Sequence, residues 1–478
     1  MGEKMSNDKH LVVISGNMKS WAFGLEEVNL ISPENSRAKV EILDFSRVSH
    51  GFPRSRKRAS FLKNFAKRNG VPIYRIRSMD FLRCLIRASY LTLRSTPIQF
   101  VLNYENIIAS AIAHHYYSSG LKKDVVGFFR MLIWNFQILA THTEVLKHIN
   151  SNPIKLHLFN GRKIVEATVI STLLEEIDNS KLQIAIYERA SGEDFYQVFS
   201  KSPHNNMEWQ EKIERFTREN FESLEIADES KLYDDYLRLK GSQGGYLTGY
   251  DWSSKFSSTG NSLPTGGYVA FFSTSTYEVT PIESFRDLDP FRSQFEAINE
   301  LANVCLDFSL TLVIRRHPSS KKQNGRKDFE KRLWDELRMK SNVVLIDVED
   351  FSDSYEIAKK AIISFCWKSS IGIELLAMGL PCYAFGVTKY DWNNSLLVSN
   401  SSEIRSLLDM ALKGIQLPAE IKRRILVKRY LFFALNHGRR LQLFKSVHRW
   451  GVVLNSGRRI YNREFERVLN SLGFVSKD

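Results

Sequence analysis

Short apolar runs alternate with longer segments of mixed polarity along most of this chain. Residues 11–15 (LVVIS) read as a buried strand running into Gly16 and Asn17, and 40–45 as a second strand. From 77 to 149 apolar residues recur every three or four positions, interrupted only by Pro97, which predicts a helix-rich insertion. Strand signals return at 154–159 and 184–187, with an amphipathic helix at 164–177 between them. Strand, helix, strand in that order predicts a parallel sheet.

Residues 241–264 are rich in glycine and serine and read either as a linker or as a surface loop. After them the alternation sharpens. Strands are expected at 268–272, 310–315, 343–346, 361–365 and 381–385, with helices at 291–308, 328–340, 354–360 and 370–378. That is the pattern of a doubly wound domain. The expected organisation is therefore α/β, with two Rossmann-like domains facing a cleft. Residues 1–255 form the first domain, with its helical insertion at about 77–150, and 265–400 form the second. Residues 401–478 are expected as basic helices lying across both.

Composition changes this picture little. The chain has 478 residues, long enough for two domains, and its 43% hydrophobic content suits ordinary cores rather than disorder. Charge adds more. The net charge is +14, and residues 420–478 hold fourteen Lys/Arg against four Asp/Glu. Such a segment is either a solvated face or a contact for a polyanion such as an anionic membrane. Cys84, Cys305, Cys366 and Cys382 form no C-x-x-C pair and read as buried thiols in a reducing compartment. Residues 11–14 are too short for the core of a secretory signal, and the apolar stretch 125–140 is broken by Arg130 and Asn135. The first six residues fit a myristoylation pattern that is also common by chance. A cytoplasmic chain, free or resting on the inner face of the membrane, is expected.

Candidate chemistry gathers where strands end. Lys368, Ser369 and Ser370 follow a strand and open a helix, with Glu374 near its first turn and Gly379 and Pro381 after it. Hydroxyls, an ammonium and the N–H groups of a helix start can hold a phosphate, although a serine N-cap is equally ordinary. Arg315, Arg316, His317 and Pro318 end another strand, and His317 can hydrogen-bond a phosphate or act on a leaving group. Ser273, Thr274 and Ser275 follow the first strand of the same domain, as ligands or as a turn cap. In the first half, Asn160, Gly161 and Arg162 follow one strand, where Arg162 can clamp an anion. Glu188 ends another. It is either a general base or an ion-pair partner of Arg189 or Arg162. His114 and His115 lack neighbours at metal-ligand spacing, and no metal motif is seen.

Taken in order, these motifs resemble bacterial capsule-polysaccharide biosynthesis proteins of the GT-B glycosyltransferase class. The order is strand–Asn-Gly-Arg, strand–Glu-Arg, strand–Ser/Thr, strand–Arg-x-His-Pro, Ser-Ser-x-x-x-Glu and Gly-x-Pro. The His-Pro and Ser-Ser motifs are also similar to those of bacterial sialyl- and polysialyltransferases, which use CMP-activated sugars. The resemblance is strongest over 268–386, weaker over 156–189 and faint before 150. It implies a glycosyltransferase that takes a nucleotide-sugar, which the CMP-linked relatives would make a CMP-sugar, and a saccharide or lipid-linked saccharide acceptor. It implies no cofactor or metal, and no nucleic acid. His317, Ser369 and Ser370 would contact the nucleotide phosphates, Glu374 would hold the ribose or position its helix, and Glu188 would be the base. The sialyltransferases carry an acidic-acidic-Gly motif. Tyr187-Glu188-Arg189-Ala190 and Gly192-Glu193-Asp194 both depart from it. Two other readings stand beside this one: transfer of glycerol phosphate from CDP-glycerol, and a non-catalytic basic scaffold for membrane or nucleic acid.

Overall fold

A computed structural model describes residues 9–15, 18–34, 39–46, 48, 56–94, 125–149, 153–161, 164–189, 195–201, 203, 205–247, 263–274, 288–317, 327–347, 350, 352–391, 393–447, 451–456 and 459–461. The first six residues, Gly16, Asn17, His114, His115, Arg162, Gly192, Glu193, Asp194, Ser275, Pro318 and the stretch 462–478, singled out above, lie outside these.

The first half is built on β1 (Lys9–Ile14), α1 (Met18–Glu34), β2 (Lys39–Asp44), α2 (Arg56–Arg68), β3 (Ile73–Tyr74), α3 (Ser78–Leu93), α4 (Val125–Leu146), β4 (Ile154–Phe159), α5 (Ile164–Glu176), β5 (Leu182–Arg189) and β6 (Phe195–Phe199). β1 pairs in parallel with both β2 and β4, so the chain winds outward one way through β2 and β3 and then the other way through β4 and β5. Side-chain alternation divides the strands between two cores. Leu11, Val13, Leu156 and Leu158 face the layer of α3, α4 and α5. Val12, Ile14, Phe159 and Tyr187 face Trp21, Phe23, Leu25 and Val28 of α1. A parallel sheet covered on both faces reads as continuous apolar runs, which is why LVVIS is legible.

The chain then enters α6 (Asn206–Glu219), α7 (Phe221–Ile226) and α8 (Glu229–Leu247), followed by β7 (Tyr268–Phe272), α9 (Gln294–Asp307), β8 (Thr311–Arg315), α10 (Lys327–Arg338), β9 (Val343–Ile346), α11 (Ser354–Lys360), β10 (Ala361–Cys366), α12 (Ile371–Ala377), β11 (Cys382–Ala384), α13 (Ser401–Leu412) and α14 (Pro418–Asn436). The second sheet has the order β11-β10-β7-β8-β9, all parallel. Its start and reversal are those of a Rossmann-like sheet. The protein thus holds two Rossmann-like units, as the alternation predicts.

Two differences from the sequence reading concern the joint. The chain changes cores well before the glycine- and serine-rich stretch: Ile213, Leu224 and Leu232 of α6, α7 and α8 belong to the core of the second sheet. Their apolar residues are thinly spread among charges, so the 3.6-residue period is weak there. Residues beyond Asn436 are also not helical where described. They form β12 (Arg439–Arg440), antiparallel to β6, and then a small meander of β13 (Phe444–Val447), β14 (Gly451–Leu454) and β15 (Arg459–Tyr461). β-branched and aromatic residues at Phe444, Val447, Val452 and Val453 favour strands, and the arginine count hides them.

The two cores meet at Trp209. Its ring lies 5.0 Å from Phe199 of the first unit and 5.9 Å from Phe433 of α14. Asn205 caps α6 through Glu208 N–H at 2.7 Å, and the Glu208 carboxylate accepts the Lys201 N–H at 2.9 Å. The helix start is thereby fixed to the end of β6. The returning chain is held by Glu26 of α1, whose carboxylate accepts the N–H groups of Gln442 and Leu443. Burial raises the Glu26 carboxyl to about 7 against those bonds, with Glu27 adding repulsion.

Two outcomes follow. Trp209→Ala removes a ring shared by both cores and should destabilise the protein by about 3 kcal/mol. A lowered urea midpoint in the full chain measures it. For Glu26 the folded pKa is raised, so its favourable contribution is complete below the unfolded value of 4.5 and is lost as pH rises through about 7. Glu26→Gln should therefore gain stability relative to the parent between pH 5 and pH 8, by up to about 3 kcal/mol. Thermal melts across that window report the difference.

Candidate active site

In each sheet the first strand lies inside the order, and the chain reverses direction beside it. In the second sheet that switch lies between β7 and β10. In the first it lies between β1 and β4. Loops leaving such neighbours diverge to opposite faces and open a crevice at the carboxyl ends of the strands. Most of the residues expected from sequence stand at or next to these two places.

At the second switch, Ser273 follows β7 and is 3% exposed. Its N–H donates to the Arg315 carbonyl at 3.1 Å, and its hydroxyl accepts the His317 N–H at 2.9 Å. Ser273 therefore fixes the main chain on which His317 is carried, and the His317 side chain is half-buried. Thr274 faces Gln294 of α9: its N–H donates to Gln294 Oε1 at 3.3 Å and its carbonyl accepts from Gln294 Nε2 at 3.2 Å. Both residues act as turn supports.

The two arginines differ from expectation. Arg315 is 3% exposed, and its terminal nitrogens donate to the carbonyls of Asp347 at 2.6 Å and Asp350 at 3.0 Å. It ties the end of β8 to the loop after β9, so it is a strut and not an open phosphate ligand. Arg316 pairs with Asp347 and lies over the Trp334 ring at 5.0 Å, while Arg338 holds the other Asp347 oxygen at 2.6 Å. Main-chain carbonyls hold the Arg315 guanidinium, and the Asp347 carboxylate with the Trp334 ring holds that of Arg316.

On the β10 side, Lys368 adopts φ 49°, a left-handed conformation that costs a β-carbon-bearing residue about 1 kcal/mol. Its ammonium pairs with Asp289 at 2.6 Å, and Asp289 also accepts the Val387 N–H at 2.9 Å. Gly386 makes room for this: a β-carbon there would lie 2.8 Å from Lys368 Cγ and 2.9 Å from Cε. Ser370 occupies the N-cap of α12 with helical φ and ψ and makes no side-chain capping bond. The Ser369 hydroxyl makes only a long contact, 3.5 Å, from the Ile371 N–H. The serine pair is therefore not the ordinary cap that the sequence allowed. Glu374 is 2% exposed and accepts the Tyr355 hydroxyl at 2.6 Å. Burial, then the Glu374 charge, raises the Tyr355 phenol above its usual value.

At the first switch, Asn160 and Gly161 both have positive φ, 65° and 71°. Gly161 is needed for space as well, since a β-carbon would meet Ile186 Cδ1 at 3.2 Å. The Asn160 amide donates to Glu188, so the structure brings together two residues chosen separately from the sequence. Glu188 lies inside the β5–β6 ladder opposite Gln197, one residue short of the strand end.

Two polar groups beside this crevice, and a buried network behind it, were not expected from the sequence. Glu166, in the first turn of α5, is fully buried, and among the described residues neither of its oxygens has a hydrogen-bond partner, nor has the buried Ser15 hydroxyl after β1. A lone acid inside IVEATVIS is the signal that could have found Glu166. Behind β4 and β5, His10 and His157 meet at 3.0 Å, His157 meets Tyr187, and Tyr196 donates to Glu27 at 2.8 Å. Burial, followed by the nearby His10, Lys155 and Arg439 charges, holds His157 well below the usual histidine range. Burial also raises Glu27. Among the described residues no cluster of three or more His, Cys, Asp or Glu could hold a metal ion. Cys84, Cys305, Cys366 and Cys382 are free and buried.

No known family profile matches the chain, and no curated protein matches it. Among solved structures it is similar to the β-Kdo 2,7 transferase of Thermosulfurimonas dismutans KpsC at 14% identity and a TM-score of 0.32, over 69% of this chain and 89% of that one. A Rickettsia africae glycosyltransferase matches at 11% identity and a TM-score of 0.28, over 89% and 93%. Methanocaldococcus jannaschii UDP-GlcNAc 2-epimerase, solved with UDP-GlcNAc and UDP, matches at 13% and 0.23, over 89% and 99%.

Gly386→Ala should drive Lys368 from Asp289 and cost about 1–3 kcal/mol through overpacking. Chemical denaturation measures the loss, and Lys368→Ala in the Gly386→Ala background should recover part of it by removing the clashing carbons.

Proposed function

We propose that this chain is a GT-B-type glycosyltransferase that moves a sugar from a nucleotide-activated donor, a CMP-sugar first among candidates, to a saccharide or lipid-linked saccharide of a surface polysaccharide. One observation carries the reading. The polar motifs chosen from sequence fall at the switch points of two Rossmann-like sheets, Asn160–Glu188 at one and Ser273–His317 with Lys368–Ser370 at the other. A basic scaffold has no need of such placement, because phosphate or lipid attraction needs only exposed charge.

In this reading the donor phosphates lie against Ser369, Ser370, His317 and Lys368. Arriving phosphate competes with Asp289 for the Lys368 ammonium. As the bond from the anomeric carbon to the phosphate oxygen breaks, His317 and the surrounding N–H groups stabilise the departing charge. On the acceptor side the attacking hydroxyl passes its proton to Glu188, which Asn160 holds in one orientation, and a new glycosidic C–O bond forms. Gly161 and Arg162 serve the acceptor in this reading, and Thr274 and Ser275 the donor. No resident metal or cofactor takes part. The work is done at the inner face of the cytoplasmic membrane, where 420–478 adds positive charge.

A thermal-shift panel of CMP, CDP, UDP and GDP tests this. At least one nucleotide should raise the melting temperature of the parent. His317→Ala/Ser369→Ala should lose that rise while keeping the parent's circular dichroism. If none of the four shifts the parent, the transferase reading fails.

A further inference from the structure

The outward face of α3 carries five large apolar side chains in one stripe: Met79 is 61% exposed, Leu82 47%, Ile86 61%, Tyr90 50% and Leu93 73%. Their spacing of three or four residues places them on one side of the helix, while Cys84, Ala88 and Leu91 face the core from the other. Monomeric soluble proteins rarely leave so long an apolar stripe in water. Beside it run Arg83, Arg87 and Arg94, which the same geometry places in a second row along the helix and which are all exposed. The Arg94 guanidinium lies over the Tyr90 ring at 4.5 Å, joining the two rows. Asp80 is the helix's one acid; it pairs with Lys147 at 2.7 Å and lies 3.8 Å from the Arg83 guanidinium, so one carboxylate is shared between two cations. The neighbouring α4 runs antiparallel, as the Asp80–Lys147 and Thr92–Asn135 contacts show, and it leaves Phe129 55% and Ile133 52% exposed.

We propose that α3 is a membrane-surface contact that lays its apolar stripe into the interface of an anionic bilayer, with its arginine row at the phosphate level. The charge decides among occupants. A second copy of this face would bring arginine row against arginine row, with Asp80, already shared with Lys147, as the one acid on the helix to answer three guanidinium groups, whereas anionic headgroups complement both rows at once. Among the described residues no helix is long and apolar enough to cross a membrane, so this contact lies on the surface. The inference does not depend on the transfer reaction. It also differs from attraction through 420–478 in needing apolar side chains.

Flotation of the full chain with phosphatidylcholine vesicles, with and without phosphatidylglycerol, tests it. The parent should float with the anionic vesicles, far less with the neutral ones, and less again as salt rises. Leu82→Asp and Ile86→Asp should each lower the bound fraction roughly tenfold at an unchanged melting temperature. Arg83→Gln/Arg87→Gln should lower binding to anionic vesicles severalfold and leave binding to neutral ones unchanged. Three results would overturn the proposal: no flotation of the parent, undiminished flotation of the aspartate variants, or light scattering showing a parent dimer that those variants split.

Discussion

The architecture depends on one indole. Trp209 belongs to neither core and packs against both, between Phe199 on one side and Phe433 on the other. Around it the chain crosses twice between units, outward from β6 to α6 and back from α14 to β12. The Asn206 amide reaches the Val387 carbonyl at 2.7 Å, and Gln210 reaches the carbonyls of Thr388 at 2.6 Å and Asp391 at 2.7 Å. Those carbonyls belong to the loop after β11, at the carboxyl end of the second sheet. The joint therefore sits at the same end as the second switch point. Any bending about Trp209 would act directly on the residues around Lys368 and Asp289.

The strand–helix alternation was readable because parallel strands buried on both faces are continuous apolar runs with little else to confuse them. The switch-point residues were readable for a related reason, since polar triplets directly after such runs have few other uses. Side-chain direction was not readable. Nothing in Arg315-Arg316-His317 says that the first two turn to Asp347, Asp350 and Trp334, because those partners lie on other elements. The small meander at 444–461 was hidden by its arginines, and α6–α8 by dilution of apolar positions among charges. Glu166 was missed because an acid in an apolar run is easily assigned to the solvent face.

Positive charge is abundant in this protein, but much of it near the candidate site is already engaged. Arg315 works as a main-chain strut, Arg316 lies on an aromatic ring, and Lys368 is matched by Asp289. An anion that takes the Lys368 ammonium has to displace the Asp289 carboxylate, an exchange of partners. On the first sheet the situation is reversed. Glu166, both of whose oxygens lack partners among the described residues, is a cost in stability with no visible return in the fold, a pattern common where function constrains sequence.

The return of the chain through β12 has a consequence for how the protein is made. The first sheet is begun by residues 9–14 but takes its last edge strand from Arg439–Arg440, and Glu26 of α1 waits for Gln442 and Leu443. During synthesis the N-terminal unit therefore emerges with β6 as an open edge, and it keeps that edge while the whole second unit is translated. Its closure is among the last long-range events. A ribosome that stops before codon 439 releases a protein whose second sheet is complete and whose first is still unsealed.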